Sequence, residues 1–225
     1  MFKNYVLLSI YFFLGHDYFG RSSAPNSLLI WTHHLRDMKF HDNFVPAGKE
    51  GNEGIPAVTL GAGLTWMDVY AAASVDRGLY VQGGGCTSVG VIGWHIGGGY
   101  GSFSKMFGTG PANMLEARIV AANGDIVVAS EFQNGDLFFA LRGGGHGFGV
   151  IISLTVRTHP LPEYFGIVNG QITPHDLDAG KELLTTFLDF YKSNLLGPNW
   201  GEQVMNYNTT CLFKIFFHFI YLKFY

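Results

Sequence analysis

The run Gly83-Gly84-Gly85-Cys86-Thr87-Ser88-Val89-Gly90-Val91-Ile92-Gly93-Trp94-His95-Ile96-Gly97-Gly98-Gly99-Tyr100-Gly101 carries more glycine than a helix or strand tolerates without cost. Glycine at this density lets backbone N–H groups converge on an anion and lets a large flat ligand approach the main chain. The plainer reading is a set of tight turns in a β-rich fold, and for any one cluster it is favoured. A further cluster follows at Gly143, Gly144, Gly145, Gly147 and Gly149. Counting Gly83 to Gly85 as the first cluster, Gly90 to Gly101 as the second and Gly143 to Gly149 as the third, three clusters interleaved with apolar strands put a ligand ahead of turns alone. Elimination narrows the ligand, because no G-x-G-x-x-G, G-x-x-x-x-G-K-[ST], G-x-S-x-G or H-E-x-x-H occurs in the chain.

Outward from the glycines, short apolar runs predict strands at Ser27 to Trp31, Ala57 to Leu60, Leu79 to Val81 and Phe148 to Val156, the last ended by His159 and Pro160. A helix opens at Thr65, where Thr65 and Asp68 have capping-box spacing, and Gly78 stops it. Leu115 to Val120 and Ile126 to Ala129 flank Asn123-Gly124, the dipeptide that best tolerates two positive φ angles, which predicts a hairpin. Asp136 to Leu141 reads as one or two helical turns. Beyond Pro162, Phe165 to Ile172 is strand-like, and Thr173 with Pro174 caps a helix that places Leu177, Leu184, Leu188 and Tyr191 on one face. Strands dominate with helices interposed, so the class is α+β.

The chain has 225 residues, enough for one ordinary domain and part of another. Its charged fraction of 14% and hydrophobic fraction of 48% exclude general disorder. A net charge of −3 offers no basic stripe for a phosphate backbone, so nucleic acid is not an expected partner. Cys86 and Cys211 are too few for a disulfide scaffold and lack zinc spacing. His33-His34 and His41-Asp42 lack a third ligand and read as solvated loop residues, so no metal is expected. Asp76 with Arg77 reads as a charged helix end, and Asn208-Thr209-Thr210 is a glycosylation acceptor that matters only in a secreted chain.

Residues 1–14 place Lys3 before an apolar run, Tyr5 to Leu14, of signal-core length and too short to span a bilayer. The tail 211–225 is crowded with aromatics in no clean period and fits neither an amphipathic helix nor an alternating strand. Native strands, a targeting segment and translated non-coding sequence all remain open for these ends.

Three ordered motifs resemble one family. They are Gly15-His16-Asp17-Tyr18-Phe19-Gly20-Arg21-Ser22, the Gly85 to Gly101 run, and Asp136-Leu137-Phe138-Phe139-Ala140-Leu141-Arg142-Gly143-Gly144-Gly145. Together they resemble the FAD-binding domain of the vanillyl-alcohol oxidase and p-cresol methylhydroxylase (PCMH) superfamily, in its berberine-bridge-enzyme-like branch. The resemblance implies an α+β PCMH-type FAD-binding domain at 15–162 lacking its first unit, then the beginning of an α+β substrate domain at 163–210. It implies FAD as cofactor, with the pyrophosphate held by backbone amides of the loop containing Gly15, His16, Asp17, Tyr18 and Gly20. His16 matches the histidine that bonds to the flavin 8α carbon, and Cys86 the cysteine that bonds to C6 in doubly linked members. Gly85, Ser88, Val89, Gly90, Gly93 and Gly98 match positions along the ring and pyrophosphate, and Gly149 and Val150 a strand reaching the adenine side. A neutral imidazole and a thiolate are nucleophiles able to attack an electron-poor ring.

Ile92 and Trp94 depart from the family's commoner small residues, His95 falls one place past a recurrent histidine, and His146 stands where a small residue is usual. The catalytic base of the family comes from a region not matched here, so no catalytic residue is named; Tyr207 lies at the wrong position. The expected activity is oxidation of a small alcohol, sugar or secondary metabolite, with O2 as acceptor giving H2O2. A truncated remnant that binds FAD without turnover is the alternative, and a glycine-rich secreted structural protein a third. Secretion sits badly with cleavage beside His16, because both readings use the same residues.

Overall fold

The computed structural model describes residues 10–12, 17, 19–20, 25–209 and 212–223. They form two compact units, residues 1–100 with 108–161, and residues 101–107 with 162–225.

In the first unit, period-two alternation of apolar residues builds the core. Val58 and Leu60 on Ile55–Gly61, Ala117 and Ile119 on Met114–Val120, and Leu154 and Val156 on Val150–Pro160 are buried on one face. In chain order the strands are β1 (Ile10–Phe12), β2 (Leu28–Ile30), β3 (Met38–Phe44), β4 (Ile55–Gly61), β5 (Leu79–Val81), β6 (Met114–Val120), β7 (Ile126–Ser130) and β8 (Val150–Pro160). The main sheet runs β3-β4-β8-β6-β7 and is antiparallel throughout, with β5 pairing the far end of β8. β8 therefore continues beyond Val156 through His159 and ends at Pro160, because Val81, Tyr80 and Leu79 pair with Thr158, His159 and Pro160. β1 and β2 form a separate parallel pair.

Helices α1 (Trp66–Tyr70), α2 (Val91–Ile96) and α4 (Gly135–Leu141) supply Trp66, Val69, Val91, Ile96, Phe138 and Leu141 to the same core. α1 continues through a wider π turn over Ala71–Val75, and Gly78, at φ +63°, ends it. On the opposite sheet face Thr59 Oγ1 bonds Thr155 Oγ1 at 2.8 Å and His41 Nε2 at 2.9 Å. His41 is thus a half-buried strand residue and not a solvated loop residue. His33 and His34 sit in a turn with Trp31, whose ring stacks on His33 at 4.7 Å.

The β6–β7 hairpin forms where expected but not by the two-residue turn expected. Gly124 alone has positive φ (+91°), its N–H bonds Ala121 O at 2.9 Å, and Asn123 Oδ1 accepts from Asp125 N at 3.0 Å. Ala121 N–H also bonds Asp125 O at 2.9 Å, so the loop proper is the three residues 122–124, with glycine in the left-handed position. Gly124→Ala is expected to cost about 1 kcal/mol, from strain at that φ, as read by urea unfolding of the two proteins.

The second unit is a three-stranded antiparallel sheet, β10 (Trp200–Thr209), β11 (Leu212–Lys223) and β9 (Tyr164–Ile172), with α3 (Ser104–Phe107) and α5 (Leu177–Asn194). The aromatic tail is therefore a strand: β11 pairs on both sides, so its backbone hydrogen bonds outweigh the want of an alternating pattern. Asp176, not Thr173 and Pro174, caps α5, its carboxylate accepting from Ala179 N at 2.8 Å. The apolar face expected of α5 is largely exposed, with Leu177 at 69% and Leu188 at 46%.

Candidate functional site

Cys86 stands on a turn whose carbonyls are gripped by the start of α1. Trp66 N–H donates to Val89 O at 3.1 Å and Met67 N–H to Thr87 O at 2.9 Å, while Val91 N–H reaches Leu64 O and Thr65 bridges Gly90. The carbonyls point inward, and the thiol is exposed with Sγ 3.4 Å from Ser88 Oγ. The Ser88 hydroxyl, then the Ser88 and Val89 N–H groups, bring the thiol below its ordinary pKa.

The glycines divide into two groups. A Cβ at Gly83 would strike the Trp66 ring, one at Gly84 would come 2.8 Å from Trp94 Nε1, and one at Gly110 would come 2.5 Å from Trp94 Cζ3. These make room for indoles. A Cβ at Gly85, Gly93, Gly98, Gly145 or Gly147 would meet nothing within 4 Å, so at those positions the main chain faces open space. The turn reading and the ligand reading each hold, for different residues. The larger side chain at Trp94 is accommodated because Gly84, Gly99 and Gly110 surround it.

The second and third clusters adjoin, since Gly145 N–H donates to Ile96 O at 2.9 Å and a Cβ on Gly143 would lie 4.0 Å from Gly98 Cα. Between them opens a shallow pocket lined by Thr32, Ile92, Gly93, His146, Phe148 and Gly149 among others. Gly149 has φ +139° and packs on Val120 O, a position closed to other residues. Val150 begins β8 opposite Val120. Gly85, Cys86 and Ser88 lie on the exposed turn and do not line this pocket, Val89 packs against the core, and Gly90 is buried. Asp17 and Gly20 close a turn, Gly20 N–H to Asp17 O at 3.1 Å. Gly15, His16 and Tyr18 lie outside the described residues. The open glycines of the pocket and, on a separate exposed turn, the Cys86 thiol held below its ordinary pKa are donor and contact groups that suit a large planar group carrying phosphates.

The sequence places His95 one position past a recurrent histidine without giving it a role, and does not single out Arg36. His95 is fully buried, its Nδ1–H donates to Val91 O at 2.8 Å, and Nε2 has no protein partner. Burial pushes its pKa down to about 4. Arg36 donates to Gly63 O at 2.9 Å and pairs with Asp68 at 2.7 Å. Burial raises Tyr70 and Tyr80 above the ordinary phenol range, so neither serves as a base at neutral pH. Among the described residues no three His, Cys, Asp or Glu side chains gather as a metal site, and no helix is long and apolar enough to cross a membrane.

The sequence profile of the family described as FAD binding domain matches residues 14–130. The chain belongs to that FAD-binding domain family. It is 47% identical over 161 residues to aurantioclavine synthase of Penicillium expansum, covering 70% of this chain and 34% of that protein. Further relatives at 42 to 48% identity are named FAD-linked oxidoreductases. The VAO-type flavoprotein MtVAO615 of Myceliophthora thermophila C1 superposes with TM-score 0.77 at 31% identity, over 95% of this chain and 38% of that one. Berberine bridge enzyme of Eschscholzia californica shares the fold, with TM-score 0.78 at 22% identity, over 95% and 41% of the two chains. This FAD-binding domain is thus of the PCMH type, its α+β class is as expected, and its cofactor is FAD. The chain spans about a third or less of the length of these curated relatives.

Proposed function

We propose that this chain holds the flavin of an FAD-linked oxidase acting on an alcohol, sugar or secondary-metabolite carbon. The observation that supports it most is the exposed Cys86 thiol, fixed on its turn beside glycines whose main chain faces open space. FAD held there would supply a hydride acceptor for the substrate carbon, with O2 as the final acceptor giving H2O2. The residues of the chain do the holding. Gly93, Gly98 and Gly145 would leave space for the cofactor along the main chain, Gly149, packed on Val120, would line the same pocket, Val150 would lie toward its adenine end, and the loop with Asp17 and Gly20 would take the pyrophosphate. Cys86 would tether the flavin ring at C6 and His16 would tether it at the 8α carbon. A double tether prevents loss of the cofactor and raises its potential.

The test is peptide mass spectrometry on the chain purified with FAD supplied, together with its visible spectrum. Flavin adducts on the peptides containing His16 and Cys86 are expected. A chain that takes up no flavin overturns the reading. Oxygen uptake with a panel of alcohols then separates an oxidase from a flavin-holding chain without turnover.

A further inference from the structure

Thr65 N and Thr65 Oγ1 both donate to Asp68 Oδ2, at 2.8 and 2.9 Å, and Asp68 Oδ1 takes the Arg36 guanidinium at 2.7 Å. Burial acts to raise the Asp68 pKa, but the Thr65 N–H and hydroxyl and the Arg36 charge outweigh it and hold the carboxyl below its usual range. The second Arg36 nitrogen bonds Gly63 O, and the strand end beneath it is held by Gly63 N–H to Leu35 O at 2.7 Å and Gly61 N–H to Asp37 O at 2.8 Å. With Asp68 satisfying the Thr65 N–H, the next two N–H groups of α1 are left for Val89 O and Thr87 O. The path from Arg36 to Cys86 is therefore continuous: guanidinium, carboxylate, helix start, cysteine turn.

We propose that Arg36 and Asp68 are positioning residues for Cys86, a clamp that sets the cysteine turn in the place from which its thiol meets the cofactor. The tethering role of that thiol rests on the function proposed above; the clamp itself does not. Once the clamp opens, the turn loses its inward carbonyl contacts, and the Ser88 and Val89 donors no longer converge on Sγ.

The experiment is the rate of Cys86 alkylation by iodoacetamide against pH, on the folded chain without flavin, with peptide-resolved mass spectrometry that reads Cys211 as internal reference. One unit of thiol pKa is about tenfold in thiolate below that pKa, so Asp68→Ala is expected to slow Cys86 labelling at neutral pH by roughly three- to tenfold. The sign is decisive, because losing a nearby negative charge through the field alone speeds thiolate formation, whereas releasing the turn slows it. Arg36→Ala is expected to slow labelling and Arg36→Lys to retain more of the rate than Arg36→Ala. Val156→Ala, a buried β8 residue remote from the clamp in sequence, is the control for stability loss and is expected to leave the Cys86 profile unchanged. Equal slowing in Val156→Ala, or an unchanged or faster rate in Asp68→Ala, overturns the clamp. In the FAD-loaded chain, Asp68→Ala is expected to lower the Cys86 adduct relative to the His16 adduct. A wild-type chain without a Cys86 adduct, whose bare thiol still slows in Asp68→Ala, defeats the tether and leaves the clamp standing.

Discussion

Between neutral pH and pH 4 the folded chain will lose on the order of 3 kcal/mol of stability through His95 alone. In the unfolded chain this imidazole takes its proton near the ordinary value of about 6.5, and in the folded chain only near about 4. Across that window the unfolded state binds a proton the folded state refuses, so the stability lost grows as pH falls and levels off below the folded value. The cause is structural. Nδ1 already gives its proton to Val91 O, and a second proton on Nε2 would meet no acceptor, because the nearby Trp66 indole has only an N–H to offer. His159, pushed down to about 4 by burial and then by Arg157, acts in the same direction over the same window. Asp68 acts lower: its stabilisation is present above the ordinary carboxylate value and is lost as pH falls through its depressed one. Urea unfolding at a series of pH values reads the slope. His95→Asn keeps an N–H for Val91 O and cannot titrate, so its loss over the window should be smaller by about 3 kcal/mol. A variant that keeps the whole wild-type slope would refute the assignment to His95.

That histidine also shows why part of the site was legible in the sequence and part was not. The glycine clusters together pointed to an open main chain, which Gly85, Gly93 and Gly98 have, but not to which glycines instead seat an indole, and the Thr65 to Asp68 spacing marked where α1 begins. What α1 does at its start, gripping Thr87 O and Val89 O, depends on a partner about twenty residues away that no local pattern encodes. α2 was hidden by the same glycines that revealed the site, since Gly90 and Gly93 argue against a helix by propensity while Val91, Ile92 and Ile96 form it by burial. β3 left a signal that went unread: Met38 and Phe40 alternate with Lys39 and His41, and both apolar residues pack on the core. For β11 there was none to read, because the strand is apolar at nearly every position and its assignment comes from pairing with β9 and β10. Arg36, with no motif of its own, is visible only once Gly63 and Asp68 are placed around it.

Trp94 and Gly110 should prove strongly coupled, and the coupling is the second large effect expected here. A Cβ at Gly110 would lie 2.5 Å from Trp94 Cζ3, 2.9 Å from Cε3 and 3.3 Å from His95 Cδ2, and both rings pack against Trp66, Trp94 edge-to-face at 5.1 Å and His95 tilted at 5.6 Å. The indole has no slack to give, since Gly84 and Gly99 close on it as well. Gly110→Ala alone should therefore cost about 2 kcal/mol by overpacking. Trp94→Ala alone should cost about 3 kcal/mol by leaving a cavity among Gly84, Gly99 and Gly110. In the double variant the methyl group enters space the indole has vacated, so the combined loss should fall short of the sum by roughly 1 to 3 kcal/mol. Urea unfolding of the four proteins in the cycle measures it. Additivity to within about 0.5 kcal/mol would mean that Gly110 is glycine for some reason other than this ring. A clear coupling would make the glycine pattern intelligible in physical terms: the glycines that touch Trp94 exist to seat it.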